Sequence, residues 1–198
     1  MRDPMDRYYT PDPLAEACVR VLFRRLVTRR WQFGEPCCGG GAFGRAAHRV
    51  LPQVDVFGCD IDPAADPGFE LDRCRVEDWR GEPRLEVLAT NPPYRDIYAC
   101  IDEMRALQRY HGALRLGLLL RATTIEQVMC SDDPPSEIHV TRQRAKWGGE
   151  GGASYSNSDT CGIAFMVWEL GPGLQSGTTI EGMPDWRPRG RSHPVAIQ

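Results

Sequence analysis

The chain has 198 residues, of which 41% are hydrophobic and 26% charged, and its formal net charge is −3. These values are typical of a globular protein and exclude a collagen-like fibre, a coiled coil, a wholly disordered chain and a generally basic coat for nucleic acid. The apolar runs near 114–120 and 162–170 are much shorter than the roughly 18 to 20 residues that span a bilayer. The eight cysteines contain no C-x-x-C pair. We therefore expect a cytoplasmic protein with reduced thiols and no membrane partner.

Hydrophobic periodicity predicts one folded domain over residues 1–170 that begins with a helix. Apolar residues recur on one face from Leu14 to Leu26, and Asp12 before them is a candidate N-cap. Beyond this helix, strands are predicted at 31–35, 54–59, 85–90, 114–120, 137–140 and 161–170, and helices at 44–50, 94–110 and 124–130. This alternation is typical of parallel strands joined by crossover helices. It predicts a doubly wound, mostly parallel α/β sheet with ligands at the carboxyl ends of its strands.

Two segments depart from this alternation. Residues 148–158 are rich in glycine and serine, which suits a surface loop and can also suit a lid over a site. From residue 171 to 198, prolines and glycines recur among arginines without a helical or strand period. We expect this segment to form a C-terminal tail that is extended or disordered.

A glycine cluster follows the first predicted strand, in the sequence Glu35-Pro36-Cys37-Cys38-Gly39-Gly40-Gly41-Ala42-Phe43-Gly44. Glycine lets the backbone approach a ligand closely, and a following helix N-terminus offers free N–H groups. The G-x-G-x-x-G match alone is weak, because it also fits a structural turn or a dinucleotide oxidoreductase, and no catalytic set elsewhere supports the latter. The next strand ends at Asp60, where a carboxylate can accept hydrogen bonds from ribose hydroxyls. Together these features predict a nucleoside ligand.

The strand predicted at 85–90 leads directly into Asn91-Pro92-Pro93-Tyr94. Two successive prolines end the strand and make the turn rigid. The Asn91 carboxamide oxygen and the Pro92 carbonyl can both accept hydrogen bonds from one amino group, and the Tyr94 ring can stack on the planar ring that bears it. The turn therefore predicts a site for a planar amine, in which the ring face of Tyr94 matters and its hydroxyl does not.

This turn resembles the catalytic signature of S-adenosylmethionine-dependent amino-methyltransferases. The glycine cluster is similar to their loop for the methionine part of the cofactor, and Asp60-Ile61 to their ribose-binding strand end. Tyr9-Thr10-Pro11 resembles the N-terminal cofactor motif of adenine-N6 DNA methyltransferases, and Asp78-Trp79 their acidic and aromatic pair beside the cofactor adenine. Residues 8–170 as a whole resemble short bacteriophage DNA adenine methylases, and Leu119-Leu120-Arg121 their fifth strand.

The resemblance implies a single-domain, Rossmann-like sheet of seven strands, S-adenosyl-L-methionine as cofactor, and DNA as the nucleic-acid partner. It implies methyl transfer to adenine N6 without a metal. The residues it implicates are Asn91, Pro92, Pro93 and Tyr94 in catalysis; Tyr9, Thr10, Pro11, Glu35, Pro36, Gly39, Gly41, Phe43, Asp60, Ile61, Asp78 and Trp79 in cofactor binding; and Arg142, Arg144, Lys146 and Trp147 in substrate binding. The last four combine positive charge with an aromatic ring, which suits phosphate contact and equally a solvated loop.

Several alternatives stay open at this stage. The tetrapeptide is shared, by resemblance, with enzymes that methylate RNA bases or protein glutamine, although asparagine in its first position favours adenine N6 over cytosine N4. A cofactor-binding module without turnover is a further alternative. The segment that starts at Arg142 lacks the prolines usual in the phage enzymes, and no insertion is large enough for a separate target-recognition domain. The target sequence is therefore not specified.

Overall fold

The computed structural model describes residues 9–27, 29–80, 84–141, 162–171 and 177–184. The strands are β1 (Gln32–Pro36), β2 (Asp55–Cys59), β3 (Glu70–Asp72), β4 (Val87–Thr90), β5 (Arg115–Arg121), β6 (Glu137–Val140), β7 (Ile163–Glu169) and β8 (Thr179–Gly182). The α-helices are α1 (Asp12–Phe23), α2 (Ala42–Val50), α3 (Ile97–His111) and α4 (Ile125–Met129), with 3-10 turns at Val76–Asp78 and Ala122–Thr124. None of the helices in the described part of the chain has the length and apolar character needed to cross a membrane.

The eight strands form one sheet in the order β3-β2-β1-β4-β5-β7-β6-β8. Strand β7 runs antiparallel to β5 and β6, and every other neighbouring pair is parallel. The chain extends from β1 toward one edge of the sheet and from β4 toward the other. The carboxyl ends of β1 and β4 therefore meet where the strand order reverses, which is where open α/β sheets bind ligands.

Helices cover both faces of the sheet. On one face, α1 and α2 bury Leu14, Leu22 and Phe43 against the strands, and on the other α3 buries Met104 and Leu107. Strands β5 and β7 are buried along their whole length except at the last residue. A strand that is buried on both faces needs apolar residues along most of its length, so these two strands could be predicted from the sequence.

The predicted doubly wound, mostly parallel α/β sheet is confirmed, but within the described residues it contains eight strands and not seven. The additional edge strand β8 lies inside the segment 171–198, which we expected to be a tail without regular structure. It pairs in parallel with β6 over Thr179–Gly182. Its residues are exposed or half-buried, so they carry no apolar alternation, and only the pairing with β6 makes this segment a strand.

The start of α1 also differs from the prediction. Pro11 is the N-cap, and its carbonyl accepts hydrogen bonds from the backbone N–H groups of Leu14 and Ala15. Asp12 is the first helical residue and makes no capping hydrogen bond. Its carboxylate instead pairs with Arg45 of α2 at 2.9 Å, which ties the two helices together.

A buried ionic cluster lies at the amino edge of the sheet, opposite the carboxyl ends of β1 and β4. Arg115 of β5 contacts Glu137 of β6 at 2.6 Å and Glu169 of β7 at 3.0 Å. Burial raises the pKa of Glu137, but the hydrogen bond from His139 and the nearby arginines outweigh burial and lower that pKa to about 2. The cluster therefore joins β5, β6 and β7 without taking part in the ligand-binding edge.

Candidate functional site

A cavity of about 420 Å³ opens at the carboxyl ends of β1, β2 and β4, at the point where the strand order reverses. Its walls come from Tyr9 and Thr10 before α1, from the loop after β1, from Asp60, Ile61 and Asp62 after β2, from 74–77, and from the turn after β4 that leads into α3. Thus segments far apart in the chain meet around one concave site.

Glu35 holds the loop between β1 and α2 in place through hydrogen bonds to its backbone. Its carboxyl group is buried, with 3% of the residue exposed, and accepts hydrogen bonds from the backbone N–H groups of Phe43 at 3.1 Å and Gly44 at 2.7 Å. Burial raises the pKa of Glu35 to about 8, against the lowering effect of these two N–H donors. The carboxyl group therefore closes the loop onto the start of α2 and offers an ionisable acid at the cavity wall.

Asp60 connects the same loop to the end of β2. One carboxylate oxygen accepts the backbone N–H of Gly39 at 2.8 Å, and the other accepts that of Asp62, also at 2.8 Å. The adjoining Ile61 is 61% exposed and lies on the cavity wall. The end of β2 thus presents a carboxylate and an exposed apolar side chain side by side, which suits a sugar hydroxyl and a flat heterocycle.

The glycines of the loop have two different roles. Gly39 and Gly41 adopt left-handed backbone angles, with φ of +49° and +71°. Gly39 lies on the cavity wall under the ring of Tyr9. Gly41 does not line the cavity, because Pro67 and Phe69 pack so closely that a β carbon there would lie 2.6 Å from the Pro67 side chain. The glycine at 41 is therefore required for packing and the one at 39 for the cavity.

The turn after β4 places Asn91, Pro92, Pro93 and Tyr94 on the wall of the same cavity as the glycine loop. The Tyr94 hydroxyl donates to the Asn91 carboxamide oxygen at 2.8 Å. The sequence predicts a role for the ring face of Tyr94 and none for its hydroxyl. The bond to Asn91 gives the hydroxyl a partner, and it depends on how the turn folds back on itself. Asn91 is half-buried, so its carboxamide is shielded from water and still open to the cavity.

Most of the residues predicted to bind the cofactor line this cavity. Those on its wall are Tyr9, Thr10, Glu35, Gly39, Phe43, Asp60 and Ile61, together with all four residues of the predicted catalytic turn. Pro11 caps α1, and neither Pro36 nor Gly41 reaches the wall. The predicted substrate-binding residues Arg142, Arg144, Lys146 and Trp147 lie outside the described residues, as does the glycine-rich segment 148–158.

Asp78 and Trp79, which are predicted to lie beside the cofactor adenine, do not line this cavity. Trp79 is buried in the core and donates its indole N–H to the Asp72 carboxylate at 2.8 Å. The 3-10 turn at Val76–Asp78 rotates these side chains away, so Val76 and Glu77 reach the wall instead. A three-residue turn has no periodicity from which the sequence could indicate the facing side chains.

The cavity wall is acidic. It carries six carboxyl groups and three guanidinium groups. The carboxyl groups belong to Glu35, Asp60, Asp62, Glu77, Asp96 and Glu103, and the guanidinium groups to Arg45, Arg75 and Arg95. Burial raises the pKa of Glu103, and Glu77 raises it further. Such a wall favours a ligand with positive charge. Within the described residues, no group of three or more His, Cys, Asp or Glu side chains could hold a metal ion.

Four cysteines also line the cavity and were not singled out by the sequence analysis. They are Cys37, Cys38, Cys74 and Cys100, of which all but Cys38 are half-buried. Cys37 adopts a φ of +51°, which is uncommon for a residue with a side chain. Cys130 is exposed and does not line the cavity. The thiols therefore provide natural reporters of what occupies the site.

Comparison of the sequence with protein-family models yields no match, and comparison with curated proteins yields none either. The structure is similar to a protein named as a class I S-adenosylmethionine-dependent methyltransferase from Listeria monocytogenes, with a TM-score of 0.63 and 10% identity over 94% of this chain and 69% of that chain. It is also similar to a protein named as an RNA methyltransferase from Pyrococcus horikoshii, with a TM-score of 0.61 and 10% identity over 85% and 87% of the two chains.

A third similar structure, magnesium protoporphyrin IX methyltransferase from Synechocystis PCC 6803, contains bound S-adenosylmethionine. It has a TM-score of 0.52 and 11% identity over 80% of this chain and 79% of that chain. At such low identity these likenesses establish the fold. The chain has the Rossmann-like fold of class I S-adenosylmethionine-dependent methyltransferases.

Proposed function

We propose that this protein binds S-adenosyl-L-methionine in the cavity and transfers its methyl group to an exocyclic amine, adenine N6 in DNA. The observation that carries the proposal is that Asn91, Pro92 and Tyr94 line the same cavity as the glycine loop. A methyl donor held by the loop and a planar amine held by the turn would meet in the space between them. The methyltransferase fold supports this arrangement.

The cavity residues fit this cofactor chemically. The cofactor carries a cationic sulfonium and an ammonium group, and the acidic wall suits both charges. Asp60 would accept hydrogen bonds from the ribose hydroxyls, and the exposed Ile61 would cover one face of the adenine. The backbone at Gly39 leaves room for the methionine part beside the buried Glu35. When bound, the cofactor would supply an activated methyl group.

The turn after β4 would hold the methyl acceptor. The Asn91 oxygen and the Pro92 carbonyl would accept the two N–H groups of the target amine, so that its lone pair faces the methyl donor. A carbonyl oxygen has two acceptor positions, so Asn91 can keep its bond to Tyr94 and still accept from the substrate. The Tyr94 ring would stack on the target base and offset part of the few kcal/mol that unstacking it from a duplex costs. Alignment and charge placement then suffice for the transfer.

A nucleic-acid substrate is supported by where the basic segment is attached. The Thr141 backbone N–H and hydroxyl both donate to the Ile163 carbonyl, and Ile163 pairs with Arg121 at the carboxyl end of β5. Because neighbouring strands lie about 5 Å apart, Thr141 is on the order of 10 Å from Arg121. Arg142 follows Thr141 in the sequence, so the segment that carries Arg142, Arg144 and Lys146 is joined to a residue about 10 Å from Arg121. Phosphate contacts from that segment would compensate for the acidic cavity wall.

The decisive experiment offers radiolabelled cofactor to DNA, RNA and protein in parallel, with polymerase-copied DNA as an unmethylated source of all short sequences. We expect label in DNA, and nucleoside analysis should identify it as N6-methyladenine. Asn91→Ala should lower the transfer rate by 10²-fold or more, roughly 2.7 kcal/mol, with cofactor affinity nearly unchanged. Asp102→Ala, at an exposed position of α3 outside the cavity, is the control. Label confined to RNA or protein would refute DNA as the substrate. The absence of label from all three polymers would refute the proposed methyltransferase activity.

Cofactor binding can be tested separately through the cysteines. Bound cofactor should slow the alkylation of Cys74 and Cys100 by iodoacetamide, because both thiols line the cavity. The exposed Cys130 lies outside it and serves as the internal control. Peptide mass spectrometry gives the three rates in one sample. Equal rates with and without the cofactor at Cys74 and Cys100 would place the cofactor elsewhere.

The nucleic-acid partner has its own test. Neutralising Arg142, Arg144 and Lys146 together should lower the slope of log affinity against log salt concentration by about 2 to 3, since each phosphate contact contributes close to one. An unchanged slope in the triple variant would show that these side chains do not contact phosphates.

A further inference from the structure

Tyr94 is held by groups from two separate elements. Its hydroxyl donates to Asn91 at 2.8 Å, and it lies 3.5 Å from the Leu119 carbonyl oxygen of β5. The guanidinium carbon of Arg121 lies over the Tyr94 ring, 4.9 Å from its centroid. Arg121 is not among the residues that line the cavity. It therefore contacts the ring from outside the cavity wall.

The backbone of Arg121 is firmly anchored. It is the last residue of β5 and pairs with Ile163 of β7. Its carbonyl accepts the Thr124 hydroxyl at 2.7 Å, and the next residue, Ala122, donates its N–H to the Gly162 carbonyl at 2.8 Å. A side chain that starts from so rigid a strand end can fix the position of the ring it contacts.

A cation over an aromatic ring is attracted by the negative face of the π system, and the attraction grows as water is excluded. Arg121 and Tyr94 are both half-buried. The guanidinium engages one face of the ring, which leaves the other face for a planar substrate. Because the same ring carries the hydroxyl that is bonded to Asn91, a shift of the ring would also disturb the carboxamide.

We propose that Arg121 is a positioning residue, which holds the Tyr94 ring for stacking on the target base and through Tyr94 keeps the Asn91 carboxamide aligned. The inference rests on the proposed methyl transfer and adds to it a residue outside the cavity wall. Arg121 acts through Tyr94 and makes no contact of its own with the base. The opposing explanation is a direct contact between Arg121 and a phosphate, which predicts different activities for the variants described below.

The test is a double-mutant cycle on the full chain, with polymerase-copied DNA as substrate. Arg121→Met should lower kcat/KM by about 2- to 30-fold, which corresponds to a cation–π contact. Arg121→Lys keeps the cation and should recover most of that loss. In a Tyr94→Ala background, Arg121→Met should have an effect of less than about twofold, because the ring through which it acts is gone. Cofactor affinity by calorimetry should stay the same throughout.

A loss that persists undiminished in the Tyr94→Ala background would overturn the inference, since Arg121 would then contact the substrate itself. Wild-type activity in Arg121→Met would overturn it too. A wild-type protein that methylates no polymer would refute the proposed function, and a crystal structure of Arg121→Met still tests the positioning role. We expect the Tyr94 ring to be displaced and its bond to Asn91 lost, whereas an unmoved ring would contradict the inference.

Discussion

The Glu35 carboxyl group makes the folded protein sensitive to pH in a predictable direction. Its pKa in the folded chain is about 8, and a carboxyl group in an unfolded chain has a pKa near 4.5. The folded state therefore keeps a proton that the unfolded state releases, so the stability this group contributes is present below pH 4.5 and is lost as pH rises toward 8. Each pH unit in this window is worth about 1.4 kcal/mol. Between pH 5.5 and 7.5, Glu35 should lower the free energy of unfolding by about 3 kcal/mol.

Glu35→Gln removes the titration and keeps the shape of the side chain. The amide NH2 group cannot accept a hydrogen bond, whereas the hydroxyl oxygen of the protonated carboxyl group still can, so one of the N–H groups of Phe43 and Gly44 loses its partner. That loss costs about 1 to 3 kcal/mol and does not depend on pH. The variant should thus be less stable than the wild type at pH 5.5, and the difference should shrink as pH rises.

Urea unfolding of both proteins at pH 5.5, 6.5 and 7.5 gives the slope of the free energy of unfolding against pH for each protein. The difference between the two slopes is due to Glu35, because all other groups titrate alike in both proteins. Glu16→Gln is the control, because its carboxylate is on the surface and Arg20 lowers its pKa, so it titrates below this pH range. Glu137, with a pKa of about 2, also titrates below it. Equal pH slopes for wild type and Glu35→Gln would refute the reasoning.

Three further predictions concern the cavity and its supports. Asp60→Ala should weaken cofactor binding by roughly 10- to 150-fold, measured by calorimetry, because it removes a charged acceptor worth about 1.5 to 3 kcal/mol; unchanged affinity would exclude Asp60 from the site. Tyr94→Phe should lower kcat by about 2- to 13-fold, because the variant loses the hydrogen bond to Asn91. Tyr94→Ala should lose a further 1 to 3 kcal/mol of transition-state stabilisation, because the ring no longer stacks on the base. Equal activity of the two variants would contradict a stacking role. Gly41→Ala should lower the melting temperature more than Gly68→Ala, since both positions have positive φ but only Gly41 has neighbours within 4 Å of a new β carbon.

Much of the fold could be predicted from the sequence, because the local conformational preferences and hydrophobicity of these segments agree with their positions in the folded protein. The inner strands β4, β5 and β7 are enclosed on both faces, so their sequences are continuous apolar runs. The turn at Asn91 was recognisable because two prolines end a strand regardless of context. The glycine loop and Asp60 were also recognisable, since each directly follows a predicted strand and the carboxyl ends of parallel strands share one edge of the sheet.

The tertiary structure alone decided which side chains face the cavity and which edge segments become strands. Val76 and Glu77 reach the wall in place of Asp78 and Trp79 because a single 3-10 turn sets their direction, and such a turn leaves no periodic trace. Strand β8 exists because β6 offers it an unpaired edge. Arg121 meets the Tyr94 ring, 27 positions earlier in the chain, because β4 and β5 are neighbours in the sheet. Local sequence encodes backbone preference and burial, whereas these contacts depend on which elements pack together.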